Sequence, residues 1–152
     1  IQMVPLKKYA VTALNVGLFC SESFTYGGFV KECIQERLGI SPADVTKVNI
    51  KGKIIVETKS GDVKTFPLKE AKKYTSRGCS SCRDFSAELA DISVGGLGLN
   101  GWTLTVLRTD AGEKIFQKAE DEGVIRTRPI DAEKQALDLL LSISDRKRMI
   151  KQ

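Results

Sequence analysis

The chain has 152 residues, 41% apolar and 28% charged, with a net charge of +5 and an isoelectric point near 9.0; these are the proportions of one globular domain able to bury its own core. No apolar run approaches the roughly 18 residues of a membrane span, and no charged-then-apolar signal segment opens the sequence, so a cytoplasmic protein without membrane insertion is expected. Histidine is absent, which excludes Ser-His-Asp and Cys-His catalysis, zinc fingers of the two-cysteine, two-histidine type, and the ordinary side chain that titrates near neutrality.

Residues 1–9 are expected to be a leader, and because the first residue is Ile1 the chain is expected to be a domain excised from a longer protein. A buried strand is predicted from Val11 to Phe19, running into Cys20. A helix follows over 24–38, with Phe29, Cys33, Ile34 and Leu38 on one face and Gly39 at its end. Ser41, Pro42 and Asp44 have the order of a helix cap. Between 47 and 68, alternating apolar residues with a Lys-Gly turn and a Ser-Gly-Asp turn predict an antiparallel meander. A short helix is expected over Leu68–Tyr74, a loop or short helix over 78–88, then a strand in ADISVGG and another in WTLTVLRT, 102–109. DAGEKIFQKAEDEG predicts a helix closed by Gly123, VIRTRPI a last strand, and Asp131 the start of an amphipathic helix with Leu137, Leu140, Leu141 and Ile143 inward. Strands and helices alternate irregularly, so the predicted fold is α+β (mixed α/β): one domain over 1–152, a small mixed sheet with flanking helices and a C-terminal amphipathic helix.

The basic residues alternate with acids, and aromatics are not interleaved among them as on a base-stacking surface, so nucleic acid is not an expected partner. The dense basic stretch DRKRMIKQ is expected to be a solvated helix end. Chemistry must therefore come from cysteines, carboxylates, lysines or a cofactor. The four cysteines are Cys20, Cys33, Cys79 and Cys82. Four soft thiols suit a tetrahedral sulfur site, and Cys79 and Cys82 supply two donors from one turn that Gly78 makes flexible. Their dispersed spacing is not that of a zinc ribbon and leaves zinc and iron–sulfur both open. Cys33, on the apolar helix face, is equally readable as a core cysteine. GLGLNG, with Gly96, Gly98 and Gly101, matches G-x-G-x-x-G literally, but a strand follows where a dinucleotide fold needs a helix, so that assignment is rejected. Asp84, Glu88 and Asp91 form a candidate acid–base set whose plainer role is solvated or turn-capping acids. Trp102 is expected in the core.

Taken together, GLFC at 17–20, Cys33 in the next helix, GCSSCRDFSAELADISVGG at 78–96, GW at 101–102 and RTDAG at 108–112 resemble the C-terminal part of the family of coenzyme F420 hydrogenase/dehydrogenase beta subunits. The resemblance covers nearly the whole chain. It implies an iron–sulfur flavoprotein in which electrons pass between a 4Fe-4S cluster, FAD and the deazaflavin coenzyme F420. By position it implies Cys20, Cys33, Cys79 and Cys82 as cluster ligands, and the segment Ser93–Gly98, with Ser93, Gly95, Gly96 and Gly98, as a flavin-proximal loop. The implied partners are the other subunits of a hydrogenase or dehydrogenase complex. The resemblance implies family members longer than this chain, with an N-terminal half expected to lie outside these residues and to help build the flavin and deazaflavin pockets. The rival expectation is a zinc- or cluster-stabilised structural module that docks a partner redox subunit.

Overall fold

Alternation of apolar and polar residues sends every second side chain of a strand to one face, and the meander follows this rule. The computed structural model describes residues 13–50 and 52–149; the expected leader, the start of the first strand, Lys51 of the Lys-Gly turn and the end of the basic tail lie outside them. The chain divides into two compact units, one running up to Ser21 and resuming at Cys82, the other Glu22–Ser81.

In the unit Glu22–Ser81, β2 (Val45–Ile50), β3 (Lys53–Thr58) and β4 (Val63–Pro67) form an antiparallel sheet in the order β2-β3-β4. Ile54 and Val56, two apart on the central strand, are both fully buried. They join Phe66, Cys33, Ile34, Ile40 and Ala71 in one core. The β3–β4 turn is closed by the Thr58 N–H donating to the Asp62 carbonyl at 3.0 Å, with Gly61 at φ +88°, where a side chain would be strained. The helix of this unit, Tyr26–Arg37, is wound as a π-helix; the Leu38 N–H reaches the Cys33 carbonyl five residues back at 3.1 Å. Thr25 caps it through its hydroxyl, which accepts from the Gly28 N–H. Residues 41–44 depart from expectation. The Ser41 side chain makes no cap bond, and Pro42–Asp44 is a single 3-10 turn that runs straight into β2 because the next residues, VTKVNI, are β-branched and alternating. Leu68–Ala71 (α1) and a 3-10 turn at Lys72–Tyr74 complete the unit's ordered middle.

In the other unit, β1 (Val16–Leu18), β5 (Ile92–Gly95) and β6 (Leu104–Leu107) form a mixed sheet in the order β1-β5-β6. β1 is parallel to β5 and β6 antiparallel. One face carries a core of Phe85, Leu104, Ala136 and Leu140, with Phe19, Val106 and Ile143 packed on it. Helix α2 (Asp110–Asp121) is capped by the Thr109 hydroxyl, which accepts from the Gly112 N–H at 3.1 Å. Two expectations are corrected here. VIRTRPI is not a strand: the N–H groups of Val124 and Ile125 both go to the Ala119 carbonyl at the end of α2, Pro129 has no N–H to give, and Thr127 and Arg128 are tied by side chain to Glu120 and Glu133. In the last helix, α3 (Lys134–Arg148), the inward line is Ala136, Leu140, Ser144 and Lys147, whereas Leu137 and Leu141 are 38% and 54% exposed. Leu140 and Ile143 face the core as expected, but the buried stripe follows i, i+3/i+4 spacing from the small Ala136, which shares the core with Phe85, so Leu137 and Leu141 fall outside it. Both units together are α+β, with a C-terminal helix as expected. No described helix is long and apolar enough to cross a membrane.

Candidate functional site

The thiols fall into different environments. Cys79 lies in a 3-10 turn, Arg77–Ser80. The chain just before it is held by the Ser76 N–H donating to the Ser23 carbonyl at 2.8 Å and by a bridge between Phe24 and Thr75. This lacing brings the Ser23 N–H to 3.3 Å from the Cys79 sulfur, with the Ser23 hydroxyl at 3.5 Å. An N–H aimed at sulfur favours the thiolate and would tune a metal bound there. Cys33 is different: it is 1% exposed in the apolar core, and burial pushes its thiol pKa up, against the lowering effect of a hydrogen bond with Tyr74. Desolvation disfavours the charged form, so the folded unit keeps this thiol protonated.

In the other unit, Cys20 follows β1 at an exposed position, its N–H donating to the Phe85 carbonyl at 2.8 Å. The Cys82 thiol, half-buried, donates to the Asp84 carbonyl at 3.4 Å. The donor chemistry of four thiols suits a soft metal or an iron–sulfur cluster. Within either unit, among the described residues, no three cysteine, aspartate or glutamate side chains gather closely enough to hold a metal ion.

The candidate acids have structural work. Both Asp84 carboxylate oxygens accept the Glu88 N–H at 3.2 Å, and Glu88 pairs with Arg148 at 2.6 Å. Asp91 is a three-way clamp: one oxygen accepts the Asn15 N–H at 2.8 Å, the other the Thr109 hydroxyl at 2.7 Å, and its carbonyl accepts the Arg108 N–H at 2.9 Å. It thus joins the lead-in to β1, the start of β5 and the cap of α2.

The glycine segment is divided between interior and surface. Ser93 is fully buried on β5, its hydroxyl accepting from Arg108 Nε at 2.8 Å while the Arg108 Nη2 donates to the Ser86 carbonyl at 3.1 Å and the Ser86 hydroxyl at 3.0 Å. Gly95 lies under the Phe19 ring, with which a Cβ would collide. Gly96 and Gly98 are exposed in a turn closed by the Leu99 N–H to the Gly96 carbonyl at 2.8 Å, and of the four residues named for a flavin-proximal loop only these two present open backbone. Sequence reasoning missed the Arg108–Ser93–Ser86 network. The one local signal was an arginine beside the Thr-Asp of the α2 cap; of its two serines, Ser93 is on β5 and Ser86 is in the loop before it. Trp102 is not the core residue expected: it is 37% exposed, with the Arg128 guanidinium 4.4 Å from its ring centroid.

This is an α+β protein with four cysteine thiols and no histidine in its sequence. It belongs to the family of coenzyme F420 hydrogenase/dehydrogenase beta subunits, whose C-terminal model matches residues 2–133. It is 42% identical over 143 residues to the coenzyme F420 hydrogenase subunit beta of Methanococcus voltae, covering 93% of this chain and 51% of the relative. It is also 42% identical, over 137 residues, to the coenzyme F420 hydrogenase subunit beta of Methanothermobacter thermautotrophicus, covering 89% of this chain and 48% of that one. Among solved structures, a chain of the xenon-derivatised F420-reducing [NiFe] hydrogenase complex from Methanosarcina barkeri superposes with a TM-score of 0.85 at 36% identity, over 95% of this chain and 53% of that chain. The chain spans about half the length of the hydrogenase relatives it matches.

Proposed function

We propose that this chain is the electron-carrying part of a cytoplasmic coenzyme F420 oxidoreductase beta subunit, working among the other subunits of a hydrogenase or dehydrogenase complex. The observation that carries the reading is the set of four thiols in a histidine-free member of this family, one of them, Cys79, facing a backbone N–H. Cys20, Cys33, Cys79 and Cys82 would hold a 4Fe-4S cluster, which when bound supplies single-electron transfer. The Ser23 N–H, 3.3 Å from the Cys79 sulfur, would stabilise negative charge there. To act as a ligand, the Cys82 sulfur would have to leave the Asp84 carbonyl to which it donates at 3.4 Å. Gly96 and Gly98 offer the exposed backbone that a flavin, FAD, could approach, while Ser93 and Gly95 hold the strand behind that turn. Hydride exchange with coenzyme F420 belongs to the whole subunit.

Cys33 gives the sharpest test, because a ligand role requires its thiol to ionise and leave the apolar core. The experiment is anaerobic cluster reconstitution of the chain and of its single Cys→Ser variants, read by visible absorbance. The expected result is loss of colour for Cys79→Ser and Cys82→Ser, with Cys20→Ser and Cys33→Ser following. Retained colour in Cys33→Ser would remove that residue from the ligand set, and colour unchanged in all four would refute the reading. A colourless chain that binds one zinc ion would select the structural docking module on the same thiols.

A further inference from the structure

Among the described residues, β6 pairs on one side only, with β5. An edge strand turns half of its N–H and C=O groups away from its neighbour, and among the described residues no backbone group outside the sheet bonds to 104–107. This free edge does not face a flat surface. All four of its residues line a cleft of about 980 Å³ that residues 125–130 also line. That segment has a strand-like sequence but is held off β6 by the bonds from Val124, Ile125, Thr127 and Arg128 described above. The cleft's apolar walls come from Phe116, Ile125 and Leu137. Trp102 lies at one end beneath Arg128, whose charge is matched by Glu133. Arg126 also lines the cleft, is exposed, and has no carboxylate partner among the described residues. The cleft therefore offers a backbone ladder, alternate apolar contacts and one unmatched positive charge.

We infer that this cleft is a strand-addition site: it takes an extended segment of another polypeptide chain, apolar residues alternating with carboxylates, which pairs with β6 as a fourth strand. β6 spans four residues, so the paired stretch is about 13 Å long at the usual rise of a strand. Main-chain bonds give such a complex its affinity and the alternating side chains its selectivity. Arg126 favours an acidic segment over a basic one. The inference does not depend on any cofactor.

The test uses the full chain and a capped heptapeptide alternating valine and glutamate. Trp102 is the only tryptophan, so its emission reports on the cleft directly. The expected result is a saturable emission change together with slowed amide exchange at Leu104–Leu107. Replacing glutamate by lysine in the peptide should weaken binding by about fivefold, and Arg126→Ala by about threefold for the glutamate peptide alone, the size of an exposed ion pair. N-methylation of the peptide amides on one edge should weaken it by more than about tenfold, as loss of two ladder bonds requires. Absence of saturable binding, equal binding of the N-methylated or lysine peptides, or exchange protection on β1 or β2 in place of β6 would each overturn the inference.

Discussion

Replacing Arg108 by alanine strips three hydrogen bonds, at 2.8, 3.0 and 3.1 Å, from the hydroxyls of Ser93 and Ser86 and the carbonyl of Ser86. Ser93 is 0% and Ser86 4% exposed, so water cannot readily replace the lost donors. Hydrogen bonds from a charged donor contribute roughly 1.5–3 kcal/mol each, but three on one fork are not additive, and a net loss of about 4 kcal/mol is expected. With a urea dependence of about 2 kcal/mol/M for a chain of this size, the unfolding midpoint should fall by about 2 M. Arg108→Lys keeps the charge but not the planar fork, and should recover about half of this. Ser93→Ala removes one acceptor and leaves Arg108 on Ser86, so its effect should be smaller than either. Urea titration followed by Trp102 fluorescence and far-ultraviolet circular dichroism makes the comparison. An Arg108→Ala midpoint within about 0.5 M of the parent, which is about 1 kcal/mol, would refute the idea that this network holds β5 to the Ser86 loop.

Gly112→Ala should destabilise although alanine is the better helix former. A Cβ there would lie 2.6 Å from the Asp91 carbonyl oxygen, and the resulting displacement of α2, about 1–3 kcal/mol, outweighs a propensity gain of about 1 kcal/mol; a thermal melt higher than the parent's would contradict this. Cys33→Val should leave stability within about 1.5 kcal/mol, while Cys33→Ser, which puts a hydroxyl into the core, should cost about 1–3 kcal/mol by denaturant titration. Because burial raises the Cys33 pKa above 9.0, the folded form holds this proton more tightly than the unfolded one. That contribution is therefore complete below pH 9 and declines as pH rises through the folded value. Melting temperature measured at increasing pH above 9 should fall more steeply for the parent than for Cys33→Val.

The meander was legible because its signals are local: period-two alternation fixes the face of Ile54 and Val56, and Gly61 marks its turn. α2 was legible for the same reason, with Gly123 closing it; its Thr109 cap was not read from the sequence. What was not legible depends on partners distant in sequence. Residues 124–130 have a strand's composition, and only the Ala119 carbonyl, Glu120, Glu133 and Trp102 decide against it. The orientation of α3 turns on the small Ala136, which shares a core with Phe85 and Leu104, and no count of leucines reveals that. Asp91 looked like one of three equivalent acids, yet its carboxylate joins segments 76 and 18 residues away. In the site, the C-x-x-C pair stood out by spacing, while the bond from the Ser23 N–H to Cys79 crosses 56 residues and could not.

The proposed function stands or falls on whether these thiols hold a redox cluster. The most direct measurement is anaerobic purification of the unmodified chain, with iron, sulfide and zinc analysis and an absorption spectrum on the same sample. A broad band near ~400 nm with about four iron per chain is expected. A colourless chain with one zinc ion, or with neither metal after anaerobic reconstitution, would contradict it.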